Sequence, residues 1–382
     1  GQNANITYDG LLDNVRIFNK SLTSNEVTTL YNEVYCVPTI VPTANFNSVL
    51  WSNGVGEHKT PITGVGFQPD LTWIKMRDAG QNHVLTDSVR GVTKTIFSNT
   101  SDDEETVAQG LTAFNSNGFA LGNDGRFNSD ERSGVAWNWY APTAESIGAS
   151  GSRIASTIKK NVDAGFSIVK WTGDGNASAR VGHGISKPDM IITKSITDTN
   201  DWNVNHIGIP NQLVYLQSSG VAFSGGGTNG AFGYQSTNTS TTFGFTGGSS
   251  SVNNANKLNS NYIAYCFHSV DGMSRVGSYQ GDNSTNESNV IVTGFRPAFV
   301  MIKNITSGST SWVMADNRRG YADLYANVAD AEFASGSLYG AHFLSNGFTF
   351  ATADISRNES NNTYIFLAIA EEVFTPITRN AT

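Results

Sequence analysis

The chain has 382 residues and a net charge of −8; 38% of it is hydrophobic, 11% aromatic and only 15% charged. That length suggests roughly two to four domains, and the apolar content is too high and the charge too low for a disordered chain. No basic cluster forms a nucleic-acid groove and no run of about 18 apolar residues would cross a membrane, so neither nucleic acid nor membrane insertion is expected.

The opening Gly1-Gln2-Asn3-Ala4-Asn5 is polar; no secretory leader is expected, and a start on Gly reads as a processed or incomplete product. Leu12, Asn14, Arg16 and Phe18 then alternate with Asp13, Val15 and Ile17, as a strand does. Thr23 and Glu26 have the spacing of a capping box, and Val27, Leu30, Tyr31 and Val34 follow on one helical face. A lone strand and helix cannot bury their apolar faces, so residues 1–35 are predicted to pack on the next module or on another chain. Residues 36–44, with Pro38 and Pro42, are predicted to be an extended linker.

Three later stretches open alike, each with a proline, an apolar run and a lysine six places beyond the proline. They are Gly66-Phe67-Gln68-Pro69-Asp70 onward to Lys75, Gly184-Ile185-Ser186-Lys187-Pro188-Asp189 onward to Lys194, and Gly294-Phe295-Arg296-Pro297 onward to Lys303. An aromatic residue followed by a polar turn precedes each, at Trp51, Trp171 and Tyr279, and each stretch ends on an alternating apolar strand. The first and third share more: Asp87-Ser88-Val89-Arg90-Gly91 matches Asp316-Asn317-Arg318-Arg319-Gly320, and Ser116-Asn117-Gly118 and Ser345-Asn346-Gly347 are hairpin signals. The second has diverged and carries a Gly/Ser/Thr/Asn-rich stretch over 218–256. A period of about 110 residues is too long for a solenoid. The expected fold is therefore all-β: three tandem β-sandwich, jelly-roll-like repeats over 45–145, 150–270 and 272–374, each with its own core, after a short strand-plus-helix segment and before a tail at 375–382.

Two resemblances bear on these segments. Gly10, Asp13, Val15, Arg16, Ile17, Leu22 and Glu26 carry a phrase that closely resembles the C-terminal end of laminin-G-like, concanavalin-A-type lectin domains. The match covers about 30 residues. That family's sugar and calcium sites would lie in the part that precedes it, so no site residue carries over. The pattern from Gly66-Phe67 through Asp87–Gly91 and Phe114–Phe119 to Val135-Ala136-Trp137-Asn138-Trp139 resembles a module of unassigned function from tail-fibre and other virion proteins of bacteriophages, often found directly after a laminin-G-like domain. This likeness is best over 45–145, weaker over 272–374 and weakest over 150–270. It implies a role at a particle surface and supplies no catalytic residue.

The side chains themselves offer few candidates. Trp51, Trp171, Trp202 and Trp312 are the candidate ligand contacts, because a flat aromatic face beside Asn and Asp is how sugar sites are built. Trp73, Trp137 and Trp139 alternate in strands and are expected in a core. Asp87/Arg90 and Asp316/Arg319 are expected to be structural turn pairs with Gly at positive φ, the alternative being a hold on a ligand carboxylate or hydroxyl. Lys75, Lys194 and Lys303 are expected to end buried strands and reach out to solvent. The acids at 102–105, Asp130/Glu131 and Glu371/Glu372 read as solvated loops and not as the paired carboxylates of a glycosidase. The six histidines have no metal spacing, Gly225–Gly227 and Gly247-Gly248 lack the Lys-Ser/Thr of a phosphate loop, and the sequons at Asn99, Asn238 and Asn361 are no more than chance predicts. No cofactor is expected; calcium at Asn123–Gly125 or Gly173–Asn176 matches no complete calcium loop. Cys36 and Cys266 are too far apart in the chain to suggest a disulfide, and Cys266 is expected to be a small buried residue.

These readings converge on a virion-surface structural or adhesion protein (a tail fibre, head fibre or decoration component) and not an enzyme. It would form homo-oligomers, meet other virion proteins and contact a host cell-surface glycan. The alternatives are an extracellular or cell-surface bacterial adhesin or filament subunit, a polysaccharide depolymerase, or a shell protein with no ligand.

Overall fold

In the computed structural model the described residues are 21–24, 27, 40–224, 235–245, 255–333 and 340–371. The chain divides into two compact units, Gly1–Thr39 and Ile40–Thr382. The strand expected before residue 20, Glu26, Cys36, the two glycine clusters at 225–227 and 247–248, Glu372 and the tail lie outside the described residues. Of the expected helix, the turn bond from Val27 N to the Thr23 carbonyl is described, at 2.9 Å.

The second unit is nearly all β and forms six sheets that fall into three pairs. The first pair comprises β1 (Phe46–Ser52), β2 (Ile62–Thr63), β3 (Leu71–Met76), β4 (Val84–Asp87), β5 (Lys94–Phe97), β6 (Glu105–Thr106), β7 (Leu111–Asn115), β8 (Gly118–Leu121) and β9 (Ser133–Trp139). Its large sheet runs β1-β9-β3-β4-β5-β6 and its small sheet β2-β8-β7. The second pair follows with β10 (Thr143–Ile147), β11 (Arg153–Ile154), β12 (Ser156–Asn161), β13 (Phe166–Thr172), β14 (Arg180–Gly182), β15 (Met190–Ser195), β16 (Asn203–His206), β17 (Val214–Tyr215), β18 (Thr242–Gly244) and β19 (Asn261–Phe267). Its sheets run β10-β12-β13-β19-β15-β16-β17 and β11-β14-β18. The third has β20 (Ser274–Gln280), β21 (Ile291–Val292), β22 (Pro297–Asn304), β23 (Val313–Asp316), β24 (Leu324–Tyr325), β25 (Ala341–Leu344), β26 (Gly347–Phe350) and β27 (Thr363–Ala370), ordered β20-β27-β22-β23-β24 and β21-β26-β25.

The large sheets share one strand order. A leader strand (β1, β13, β20) pairs with the last strand (β9, β19, β27), which pairs with the strand after the proline (β3, β15, β22), then with β4, β16 or β23, and then with β5, β17 or β24. Trp73 faces Trp137, Ile192 faces Tyr265 and Met301 faces Leu367 at the same register position. The glycine before each proline-led strand has positive φ (Gly66 +92°, Gly184 +72°, Gly294 +90°), a conformation that selects glycine. Its recurrence in the sequence therefore marks a backbone requirement.

The central strands of each large sheet are buried on both faces. One face packs on its own small sheet, giving three separate apolar clusters that include Trp51, Phe119 and Phe127; Trp171, Phe243 and Tyr262; and Phe348, Phe350 and Tyr364. The other face enters one continuous cluster shared by all three large sheets, with Phe46, Trp137 and Trp139, Phe166, Tyr265 and Phe267, and Phe299, Trp312 and Leu367. Phe46, Trp139, Phe166, Phe267 and Phe299 form a chain of ring contacts across it, with centroids 4.9–6.3 Å apart.

The all-β sandwich architecture is present, but the arrangement corrects three expectations. The sandwiches are not separate bodies in an array: one face of each large sheet lies in a core that no single sheet pair completes. The boundary placed between 145 and 150 cuts β10, which is hydrogen-bonded to β12 and belongs to the second pair. The linker expected over 36–44 is not extended at its end, because Pro42–Ala44 form a 3-10 turn with Pro42 and Ile40 buried.

A shared core makes unfolding cooperative across the body. Calorimetry of the chain should show one transition for residues 40–373; three resolved transitions would mean that the sheet pairs are energetically independent. A fragment of residues 40–142 should expose Phe46, Trp73, Trp137 and Trp139 and self-associate or remain unfolded.

Candidate functional site

The four tryptophans expected at a ligand surface are buried. Trp51 is 5% exposed, Trp171 2%, Trp202 0% and Trp312 1%, so none offers a free ring face, and the sugar-stacking reading is corrected. Trp51 and Trp171 sit in the outer cores: Trp51 crosses β9 at Gly134, where a Cβ would lie 2.2 Å from the indole, and Trp171 stacks on Tyr262 at 5.2 Å. Trp202 and Trp312 tie neighbouring sheet pairs together. Trp202 Nε1 donates to the Phe97 and Thr100 carbonyls at 2.9 and 3.1 Å, and Trp312 Nε1 donates to the Tyr215 carbonyl at 3.0 Å. The equivalent position in the first pair is His83, stacked on Trp137, whose Nδ1 accepts from Trp73 Nε1 at 3.1 Å. Burial, with Lys75 and Arg319 nearby, pushes the His83 pKa well below its ordinary value against the pull of the Tyr325 backbone. The ring is therefore neutral, although its Nε2 makes no well-formed hydrogen bond among the described residues.

The Asp-x-x-Arg pairs lie on the same seams. Asp87 Oδ1 accepts from the amides of Val89 and Arg90, and Arg90 Nε donates to Asp87 Oδ2 at 2.5 Å with both side chains buried. Arg90 also reaches the Leu85 carbonyl and Glu104. Asp316, Arg319, the Met314 carbonyl and Glu332 repeat the arrangement. Each acid then accepts from the last strand of another pair: Tyr265 Oη donates to Asp87 at 2.9 Å, and Trp137 Nε1 donates to Asp316 at 2.9 Å with its ring 5.4 Å from the Arg319 guanidinium. Burial lowers the Arg90 pKa, but Asp87, Tyr265 and Glu104 outweigh it and hold the group above its ordinary range.

At the seam between the second and third pairs the equivalents are His206, Ile209 and Ala222, opposite Leu367. His206 bonds the Phe366 carbonyl through Nε2 at 3.1 Å, and burial lowers its pKa to about 4. Acid, base, second acid and the partner's polar group are absent together. The backbone is the same at all three: the amides of Glu104, Ala222 and Glu332 donate to the carbonyls of Ile196, Ile305 and Arg77, each two residues beyond one of the three lysines. The seams therefore run first to second, second to third and third to first, closing a ring.

The three lysines do not reach solvent, contrary to expectation. All are 0% exposed. Lys75 donates to the Met76 and Ala79 carbonyls, Lys194 to those of Ser195 and Asp198, and Lys303 to those of Thr310 and Ser219. Burial lowers each pKa to about 8.

Four of the candidate acids have partners, while Asp102, Asp103 and Glu131 are exposed. Glu104 and Glu105 pair with Arg90 and Arg126, Asp130 accepts from the Gly56 amide, and Glu371 pairs with Arg296. Asp124 and Asp174, from the two sequences tested for calcium, bind Arg126 and Asn256, and no metal-ligating cluster occurs among the described residues. Cys266 is buried and free. Sequence reading missed Asn128, Asn256 and Asn358, each fully buried five residues before the start of the last strand and hydrogen-bonded across the outer loops. The residue three places on has positive φ each time (Glu131 55°, Asn259 64°, Asn361 65°). The signal was the repeated spacing, hidden by the abundance of Asn.

An open concavity of about 510 Å3 lies on the second pair. The leader strand β13 there is extended by β12 and β10, and Ser146, Thr157 and Lys170 stand in one row across the three strands. Val89, from the Asp87–Gly91 turn of the first pair, faces them. A second cavity, where the large sheets meet, is lined only by apolar side chains and Tyr265 and measures about 10 Å3, which is too small and too apolar for a ligand.

Replacing Arg90 with Met leaves Asp87 buried beside a hydrophobe and should destabilise the fold by about 3–5 kcal/mol in urea unfolding. Installing at this seam the set found between the second and third pairs (Asp87→His, Arg90→Ile, Glu104→Ala and Tyr265→Leu together) should recover most of that loss; a quadruple variant no more stable than Arg90→Met refutes the equivalence of the seams. The lysines set a pH response. Their folded pKa lies below the unfolded value of about 10.4, so from pH 8 upward the unfolded chain binds more protons and the unfolding free energy rises with pH. The Cys266 thiol, pushed up by burial, acts in the opposite direction, but weakly until pH exceeds about 9. Between pH 7.5 and 9 the chain should gain about 1–3 kcal/mol, and a Lys75→Met, Lys194→Met, Lys303→Met triple variant should lose that gain.

Comparison with curated proteins finds no match for this chain. A family model described as a domain of unknown function (DUF7483) matches residues 41–373. The matched span takes in all six sheets, from the turn before β1 to beyond the end of β27, and the chain belongs to that family.

Proposed function

We propose that this chain is a structural and adhesion component of a virion surface, in a tail fibre, head fibre or decoration assembly, that presents a rigid β body to a host glycan or to neighbouring subunits. The observation that carries this reading is where the chemically capable side chains are. Asp87, Arg90, Asp316, Arg319, Lys75, Lys194, Lys303, His83 and His206 are buried in the seams or at strand ends. What faces outward is loops clamped by buried asparagines and strands rich in hydroxyl groups, which suits contact more than turnover. The likeness of residues 10–26 to the end of a lectin domain, and of the following module to phage virion proteins, supports the same reading. A homo-oligomer, other virion proteins and a host glycan are its proposed partners.

Antibody raised against residues 40–373 should label intact particles in electron microscopy, and the purified chain should adsorb to host cells and compete with particle attachment. Labelling of the cell envelope in place of particles would favour an extracellular adhesin. New reducing ends on incubation with host polysaccharide would favour a depolymerase.

A further inference from the structure

The approximate three-fold repetition of the body separates what holds it from what does not. The second and third sheet pairs are joined by residues 268–273 alone, so a connection that short is enough to pass from one last strand to the next leader. Between the first and second pairs the chain takes residues 140–165 and uses the surplus to add β10 and β12 to one edge. Among the described residues neither of the other large sheets has such an extension of its leader strand. The addition is firmly held: Lys159 pairs with Asp70 at 2.8 Å, and Asn161 bonds Asn45 and the Tyr140 carbonyl. Beyond these anchors the same face carries Ser146, Thr157 and Lys170 over the groove of about 510 Å3. The side chains of these three make no hydrogen bond or ion pair among the described residues, whereas Lys159 and Lys160 on the same hairpin are both paired. At the position of Lys170 the other leaders have Leu50 and Ser278, so the cation is as unrepeated as the hairpin.

We infer that the groove between the β10–β12–β13 edge and the Val89 turn binds a hydroxylated carboxylate, the chemistry of an acidic sugar residue. Lys170 meets the carboxylate and Ser146 and Thr157 meet ring hydroxyls. A half-buried ammonium gives a charge-assisted bond, and the two hydroxyls can each donate or accept. Val89 supplies an apolar contact for a sugar's C–H face. The groove becomes the glycan contact of the adhesion reading and rests on it for its biological role, though not for its geometry.

The test is titration of the full chain with methyl glucuronide, methyl glucoside and inorganic sulfate, followed by saturation-transfer NMR and calorimetry. The glucuronide should bind saturably, at least 10-fold more tightly than either of the others. Lys170→Met should weaken it at least 10-fold and Lys170→Arg should restore most of the loss. Thr157→Val should weaken the glucuronide but leave the response to sulfate unchanged. Absence of glucuronide binding, binding indifferent to Lys170→Met in a variant with wild-type unfolding, or sulfate binding equal to glucuronide binding overturns the assignment. Cell adsorption that persists in Lys170→Met would refute the groove while leaving the adhesion reading standing; loss of adsorption by wild-type chain would refute that reading alone.

Discussion

A sheet that is buried on both faces has nowhere to send the polar groups at its strand ends, and this constraint organises the body. The central faces of the three large sheets meet in one apolar core, so each seam between them must satisfy buried carbonyls and amides without water. The indoles of Trp202 and Trp312, the lysine ammonium groups and the Asp-Arg-Glu sets do this, each donating to or accepting from a defined backbone or side-chain atom across or beside a seam. Removing one member strands another, which is why the polar residues recur at equivalent positions while the apolar side chains between them vary freely: Trp73, Ile192 and Met301 occupy one register.

The seam between the second and third pairs shows the same constraint from the other side. A buried ion pair is not required for stability where an apolar set of similar shape fills the space. What is forbidden is a partial set. His206, Ile209, Ala222 and Leu367 form a complete uncharged alternative, with the imidazole Nε2 spent on the Phe366 carbonyl. The backbone bond from Ala222 to Ile305 persists there without any charge, so the geometry of the ring depends on the backbone and the core, with the ionic sets filling two of its seams.

Much of this was legible in the chain because it depends on local requirements. Gly66, Gly184 and Gly294 recur since their positive φ favours glycine, and the alternating strands at Trp137, Tyr265 and Leu367 mark buried faces. The closure of the sheets into a ring was not legible, because alternation shows that a face is buried and not what buries it. The same gap misplaced the tryptophans: Trp202 and Trp312 follow polar loops, and only the arrangement of neighbouring sheets puts a carbonyl in front of each indole. The lysines were read as reaching solvent since a strand end normally meets water; here it meets another sheet. Lys170 drew no notice, as one lysine in a strand carries no pattern, and its row with Ser146 and Thr157 exists only once β10 and β12 have paired.

Repetition within one chain gives a way to separate support from use. An interaction present at equivalent positions, whether Asn128, Asn256 and Asn358 or the three lysines, is accounted for by the geometry that repeats. A feature present once must be explained otherwise. The Asp323–Arg357 ion pair is such a feature: it is buried in the third pair's own core, where burial raises the Asp323 pKa to about 6 despite Arg357 and Arg319. Both partners are enclosed and reach no groove, so that pair's singularity is a matter of packing. The β10–β12 hairpin is single in the other sense, since it is anchored to the first pair at Asp70 and Asn45 while β10 at its edge opens to solvent. Among the unrepeated features, it combines an anchored scaffold, an unpaired charge and room for a ligand.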